Sequence, residues 1–440
     1  MGSSKMIKLG FVGFGTVGQS TFIALERNLH QIKQQMGYEL EVVSVAVKDL
    51  EKKRVVELSG VRLTDDPFEV VLDPNVDIVV ELIGGTEIAH ELVSAAIANG
   101  KHVVTANKAL IANFGDEILL SAQNENTLFR FEAAVAGSIP IIKALSESVR
   151  GNRIKAVVGI INGTCNFMLS EMSTKQVSFA SILSEAQRLG YAEADPSFDV
   201  MGTDAGHKLA ILSAIAFGTE FQFEKIHIEG IQNVLPEDIA YAKGLGYQVK
   251  HLAIAVKTRN GLELRVHPAL IPLDHILASV DGVVNAILVD GDLSGPLMFS
   301  GAGAGGDATA SAVISDIIDV ASAVHTGGTR FIALRPEKLS DYPITAFTES
   351  VSGYYVRVEA KDRPGVLAEI SRVLASFNVS IEAIHQKEAK EGASTTVPII
   401  ILTGRMAEKA IREVCEILAS SDSITGGAIC YKVEDFQWAT

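Results

Sequence analysis

Residues 7–32 read IKLGFVGFGTVGQSTFIALERNLHQI, and this stretch decides the fold. "IKLGFV" (7–12) is a short apolar strand, "GFGTVG" (13–18) follows at once, and "QSTFIALERNLHQI" (19–32) carries its apolar residues at helical spacing. A second apolar strand, "LEVVSVAV" (40–47), comes next, so the order is strand, glycine turn, helix, strand. That order opens a doubly wound parallel sheet. "VDIVVELIGG" (76–85) and "KHVVTA" (101–106) are further strands, separated by a helix over 88–99 as parallel pairing requires.

Gly13, Gly15 and Gly18 make the pattern GxGxxG. The first two let the backbone turn tightly and approach a pyrophosphate, and the third lets helix and strand pack closely beneath the positive helix end. A purely structural glycine turn is the alternative. The position between a strand and a helix favours dinucleotide binding. At the tip of the second strand stands Lys48, where a cation suits the 2′-phosphate of NADP better than the free ribose hydroxyl of NAD. Asp49 follows it, so NAD remains an accepted cofactor.

From about residue 150 the pattern changes. "AVVGII" (156–161), "LAIAVKTRNGLELRVHP" (252–268) and "VVNAILVDG" (283–291) read as antiparallel strands, the middle one folded at an Asn260-Gly261 turn. Helices over 178–189, 203–217 and 236–246 cover one face, giving an α+β substrate domain. "GAGAGG" (301–306) leads into a long helix that returns to the first domain, and the turn formers over 335–354 read as a linker. Beyond it the order is strand 354–360, helix 366–377, strands 379–386 and 394–402 around a "KEG" turn, helix 407–419 and strand 427–433. This is a ferredoxin-like βαββαβ module.

A length of 440 residues allows two or three domains. A composition of 48% hydrophobic and 21% charged residues is globular, and no uninterrupted apolar run approaches the roughly 18 residues a membrane helix needs. No membrane partner is expected. The net charge of −15, with no Lys/Arg run to offset it, excludes a phosphate-tracking nucleic-acid binder. Cys165, Cys415 and Cys430 are odd in number and lack metal spacing, which fits a reducing compartment. The opening "MGSSKMIKLGFVGFG" lacks a secretory pattern, so a cytoplasmic location is expected.

Within "DVMGTDAGHKLAILSAIAFG" (199–218) the helix is apolar on nearly every face, yet Asp204 and Lys208 lie one turn apart. An exposed pair at this spacing stabilises by only a few tenths of a kcal/mol. Burial would make it costly in desolvation, which points to a functional pocket at the helix start. A buried lysine is an acid/base group, because burial lowers its pKa toward neutrality. Just upstream, "LGYAEADPSFD" supplies Glu193, Asp195 and Asp199, suited to an amino group, with an acidic surface loop as the alternative. Lys108 follows the strand of "HVVTANK" at its carboxyl end, where open α/β sheets place their ligands.

The segments "GFGTVG", "ELIGGTE" (81–87), "TANKALIA" (105–112), "EAAVAGSIPII" (132–142), "NGTCNFML" (162–169), "GYAEADPSFDVMGTDAGHKLAIL" (190–212) and "GAGAGGDATA" (301–310) together resemble homoserine dehydrogenases over about residues 6–330. The C-terminal module, with "KDRPGVLAEI" (361–370), resembles an ACT domain. The resemblance implies NAD(P)-dependent interconversion of L-homoserine and L-aspartate 4-semialdehyde, on the route to threonine, methionine and isoleucine. It makes Lys208 the proton donor and acceptor, with Lys108 assisting at the reacting oxygen. Glu193 and Asp204 become substrate-binding carboxylates, with Asp199 a weaker candidate. Thr16, Val17, Thr86, Gly190 and Gly305 join the glycine turn as cofactor contacts. Also implied is a monovalent cation, sodium by expectation, on Glu132 and the carbonyls of Val135, Gly137 and Ile139.

The corresponding division is a dinucleotide-binding domain (1–135, completed by helix 306–335), a substrate-binding and dimerisation domain (136–305), a linker (336–352) and an ACT regulatory domain (353–434). Threonine is the expected effector. The expected assembly is a homodimer, with a homotetramer as the larger alternative. Two other readings compete: another amino-acid-pathway reductase, and a non-catalytic amino-acid sensor holding a nucleotide only structurally. The regulatory module is expected to be removable, leaving an active enzyme.

Overall fold

A computed structural model describes residues 6–327, 339–386 and 396–437. The expected "KEG" turn lies outside the described residues; the helix expected over 306–335 closes earlier, at Thr326, where left-handed Gly327 (φ +71°) caps it by donating its N–H to Ala323 O. Along the chain the first elements are β1 (Met6–Val12), α1 (Thr16–Met36), β2 (Glu39–Ala46), β3 (Arg62–Thr64), α2 (Phe68–Val71), β4 (Ile78–Glu81), α3 (Glu87–Ala98), β5 (His102–Thr105), α4 (Lys108–Asn124) and β6 (Phe129–Arg130). There follow α5 (Ile141–Lys143), β7 (Ile154–Ile160), α6 (Gly163–Lys175), α7 (Phe179–Leu189), α8 (Ser197–Val200), α9 (Thr203–Phe217), β8 (His227–Ile228), α10 (Pro236–Gly244), β9 (Tyr247–Thr258), β10 (Gly261–Pro272), β11 (Val284–Gly291), β12 (Gly295–Ala302) and α11 (Gly306–Thr326). The last are β13 (Val351–Lys361), α12 (Val366–Ser376), β14 (Ile381–Gln386), β15 (Thr396–Ala407), α13 (Glu408–Ala419) and β16 (Ile424–Val433).

These elements form two compact units. The first takes residues up to 161, then 204–226 and 284–342. Its parallel sheet has the order β3-β2-β1-β4-β5-β6, the doubly wound arrangement read from the opening stretch. The order reverses between β1 and β4, which opens a crevice at their carboxyl ends. Strands such as β4 are buried along their whole length because helices cover both faces of a parallel sheet. Helix α11 is long and apolar enough to cross a membrane by length and composition. Its Val313, Ile317 and Val320 instead share a core with Phe22 and Leu25 of α1 and with Leu9 and Phe11 of β1. The antiparallel strands β7, β11 and β12 belong to this unit as well.

The second unit takes residues 162–203, 227–283 and 343 onward. Its β9–β10 hairpin turns at Arg259-Asn260, one residue before the expected Asn260-Gly261, because Gly261 already pairs with Thr258 as the first residue of β10. Gly261 has φ +140°, and a Cβ there would lie 2.0 Å from the Pro343 carbonyl. Residues 343–345 are accordingly fastened to the hairpin: Leu262 N–H donates to Pro343 O at 2.9 Å, and Thr345 N–H to Leu262 O at 2.8 Å. The C-terminal sheet, β16-β13-β15-β14, is antiparallel throughout, with α12 and α13 on one face, as the βαββαβ reading requires. Its other face is not free: Tyr355, Ile400, Leu402 and Tyr431 pack into one core with Met168 and Met172 of α6, Ile239 of α10 and Leu270 of β10.

Candidate active site

The glycine turn sits where the opening stretch places it. Gly13 has φ +99°, and a Cβ there would meet the Leu82 backbone at 2.8 Å. At Gly18 a Cβ would meet Gly13 O at 2.6 Å, so this residue is what lets α1 lie against β1. Open space surrounds Gly15, which caps α1 without any side-chain hydrogen bond, leaving the N–H groups of Thr16, Val17 and Gly18 at a positive helix end. Helix α11 starts beside it: a Cβ on Gly306 would meet Ser20 Oγ at 2.3 Å and Thr16 Cγ2 at 3.4 Å, and Gly305 caps this second helix with φ +116°. Thr86 caps α3 after Gly84 and Gly85, both left-handed. The exposed Lys48 lies just past β2, in a loop that Arg54 holds by donating to the carbonyls of Asp49, Leu50 and Lys52.

Helix α9 runs over Thr203–Phe217, as its sequence predicts, and is buried almost throughout. Lys208 is 8% exposed; its Nζ donates to Asp204 Oδ2 at 2.6 Å and to the Ile161 carbonyl at 2.8 Å. The other Asp204 oxygen lies 3.1 Å from Lys108 Nζ. One buried carboxylate thus stands between two lysines. Lys108 reaches it because it opens α4 at the carboxyl end of β5, where Asn107 caps the helix by accepting from Leu110 N–H at 3.1 Å.

A second buried group, within the motif "ELIGGTE", fixes this loop. Glu81, at the end of β4, accepts from Thr105 Oγ1 at 2.5 Å and from Ile83 N–H at 2.9 Å. Asn107 Nδ2 in turn donates to Gly85 O at 2.7 Å. Burial pushes the Glu81 carboxyl up from its ordinary range, so the network ties the ends of β4 and β5 together with a group that itself resists ionisation. A fully buried glutamate in "ELIGGTE" was the available signal: carboxylates rarely end a buried strand without a partner.

His207, beside Lys208 in sequence, packs its ring 4.2 Å from that of Phe223. Burial pushes its imidazole down to about 4 from 6.5, Asp204 opposing this and Lys108 reinforcing it. The folded state therefore favours the neutral ring, and this contribution to stability is complete above pH 6.5 and is lost as pH falls toward 4. Expected: between pH 7 and 4.5 the parent loses up to about 3 kcal/mol more unfolding free energy than His207→Gln, measured by denaturant titration. Equal losses would show that the ring takes up its proton freely.

Glu193, Asp199 and Gly190 lie in the second unit. Glu193 is exposed, its backbone carbonyl accepting from Gln187 Nε2 at 3.1 Å. Asp199 is half-buried and accepts from Asn162 Nδ2 at 2.7 Å. Gly190 closes α7 with φ +77°. Back in the first unit, the Glu132 carboxylate is 3% exposed and accepts from the N–H groups of Ile142 and Lys143 at 2.9 and 2.8 Å. Ala136 and Gly137 are both left-handed, at φ +56° and +54°. For an alanine that conformation is strained, and it turns the Val135–Ile139 loop sharply. Among the described residues no cluster of three or more His, Cys, Asp or Glu is arranged to hold a metal, so a cation here would rest largely on carbonyl oxygens.

Family models match the chain in three parts: the homoserine dehydrogenase NAD-binding domain over residues 13–132, homoserine dehydrogenase over 140–318 and the ACT domain over 354–418. The homoserine dehydrogenase of Pseudomonas aeruginosa is 47% identical over 433 residues, covering 98% of this chain and 99% of its own. That of Neisseria gonorrhoeae is 48% identical over 423 residues, covering 96% and 97%. The crystal structure of a homoserine dehydrogenase from Thiobacillus denitrificans aligns with a TM-score of 0.93 at 50% identity, over 98% of this chain and 99% of that one. A nicotinamide-binding crevice, a lysine–aspartate–lysine fork and full-length similarity converge, and the chain belongs to the homoserine dehydrogenases, the NAD(P)-dependent oxidoreductases, here with an ACT domain at the C-terminus.

Proposed function

We propose that Lys208 is the proton donor and acceptor in the interconversion of L-homoserine and L-aspartate 4-semialdehyde, with NADP preferred over NAD. The carrying observation is the fork: Asp204 and the Ile161 carbonyl occupy two of the three ammonium donor directions of Lys208, leaving the third for a substrate oxygen. When bound, the nicotinamide supplies or accepts the hydride. As the neutral amine Lys208 takes the hydroxyl proton onto the lone pair at that third position as hydride leaves the carbon, and as the ammonium it returns the same proton in reduction. Lys108, pinned to the same carboxylate, holds positive charge near the reacting oxygen. Glu193, with Asp199 as the weaker candidate, serves the substrate amino group. The sensor reading gives this fork no task.

The two helix ends at Gly15 and Gly305 suit a pyrophosphate, and Gly13, Gly18, Thr86 and Gly190 complete the cofactor contacts. Lys48 on its ordered loop suits a 2′-phosphate. Expected: Lys48→Ala raises the KM for NADP by about tenfold and leaves that for NAD nearly unchanged. Homoserine oxidation followed spectrophotometrically with both cofactors tests the reaction and the preference together, and equal KM changes would remove Lys48 from the site.

A sodium ion fits the oxygen donors of Glu132, Val135, Gly137 and Ile139, since hard cations take carboxylate and carbonyl oxygens. Glu132 retains a lone pair on each oxygen beyond the backbone bonds it accepts, and the left-handed pair supports a loop shaped for a ligand. We place the division of labour at 1–135 with α11, 136–305, 336–352 and 353–434. Strand β12 is a sheet edge, which supports pairing with a second copy in a homodimer, from which a homotetramer can be built. Three free cysteines suit action in the cytoplasm, and threonine is the proposed ACT effector.

A further inference from the structure

We propose that the cleft bounded by α13, β16 and the β8–β10 edge binds a free, small, zwitterionic α-amino acid, away from the "KDRPG" loop. This rests on the reading of the C-terminal module as amino-acid-responsive and gives that response a place. The cleft has a volume of about 340 Å³ and lies wholly within the second unit. Glu229, Phe347, Glu408, Arg412, Glu416 and Lys432 line it.

The charges are held before any ligand arrives. Lys432 is buried; its Nζ donates to Ser350 Oγ at 2.7 Å and to Tyr354 Oη at 3.0 Å, lies 3.4 Å from Glu408 Oε2, and stands 5.0 Å above the Phe347 ring. Arg412 donates from Nε to Glu408 Oε1 at 2.9 Å and from Nη2 to Glu229 Oε1 at 3.0 Å. A guanidinium has five donors in a fixed fork, so Arg412 keeps Nη1 for a carboxylate. Glu229 Oε1 also meets His227 Nε2 at 2.8 Å, which leaves Oε2, with the Glu416 carboxylate, for an ammonium group. The Phe347 ring, stacked 3.6 Å from His227, offers an apolar wall to a short side chain.

Charge decides the class of ligand. A simple anion would face three carboxylates, and a simple cation would face Arg412 and Lys432. A zwitterion satisfies both signs at once. The Glu229 backbone is also linked to the chain leading into α9: Ile231 N–H donates to Val200 O at 2.9 Å, and a Cβ on Gly202 would lie 3.3 Å from Glu229 O. Asp204 is two residues further on.

The test uses the full-length protein, with calorimetric titration and thermal shift against L-threonine, L-serine and L-valine, and with N-acetyl-L-threonine and L-threoninol as probes lacking one charge. Expected is saturable binding of at least one free amino acid, absent for both blocked probes. That binding should weaken by at least about tenfold in Arg412→Met and Glu416→Gln and persist in Arg363→Ala of the "KDRPG" loop. Glu416→Gln decides the matter if Arg412→Met fails to fold. No saturable binding, or binding lost in Arg363→Ala and kept in Glu416→Gln, overturns the site. Homoserine oxidation by the same preparations separates the two claims: turnover without binding removes only this site, and binding without turnover removes only the proposed reaction.

Discussion

Lys208→Met should lower kcat for homoserine oxidation by about a thousandfold and leave NADPH binding nearly unchanged. A positioned general acid/base contributes roughly 10²–10⁴ in rate, and methionine keeps the length and packing of the lysine stem while removing its only proton-carrying atom. Asp204 remains paired with Lys108 in this variant, so the buried carboxylate is not stranded. The glycine turn at Gly13–Gly18, where we propose that the cofactor binds, lies on other elements, which is why fluorescence titration with NADPH should read near the parent value. Asp204→Asn is the companion measurement. It keeps the shape but removes the charge that both lysines share and turns one of the two accepting oxygens into a donor, so one lysine loses its acceptor; it should cost less than Lys208→Met. A Lys208→Met enzyme within threefold of the parent rate would remove the acid/base role.

The opening 26 residues of strand, turn and helix carried the parallel sheet because local spacing and long-range order agree there: GxGxxG has meaning only between a strand and a helix, and both are visible in the apolar pattern. Asp204 and Lys208 were legible for the opposite reason, as two charges at odds with the apolar helix around them. What was not legible depends on contacts between distant residues. Strand β12 has no fully buried residue and a glycine at its start, so neither alternation nor a continuous apolar run marks it. Helices α4 and α6 begin inside the motifs "TANKALIA" and "NGTCNFML", where chemistry drew the reading away from helical spacing. The return of 204–226 and 284–342 to the first unit is set by packing, which no linear change in composition announces.

The C-terminal module provides the second large effect, because the structure replaces the expectation of a removable tail. Deleting everything after residue 345 should give a protein that unfolds or aggregates, read by circular dichroism and light scattering. Period-two alternation on β13 sends Tyr354, Val356 and Val358 toward α12 and α13, and Tyr355 and Arg357 to the opposite face. On that opposite face Arg357 Nε donates to the fully buried Asp238 of α10 at 2.6 Å, and Tyr355 Oη donates to the same oxygen at 2.8 Å. Truncation would leave Asp238 charged and uncovered beside the apolar surfaces of α6 and β10 that now meet Ile400, Leu402 and Tyr431. A buried pair is weak evidence of net stabilisation, but removing one partner strands the other. Arg357→Met, made in the intact chain, should therefore lower the unfolding free energy by about 3–5 kcal/mol in a denaturant titration, with Tyr355 offsetting part of the loss. A soluble truncated enzyme with parental melting behaviour would mean that this core forms without the C-terminal sheet, and that Asp238 finds its counter-charge elsewhere.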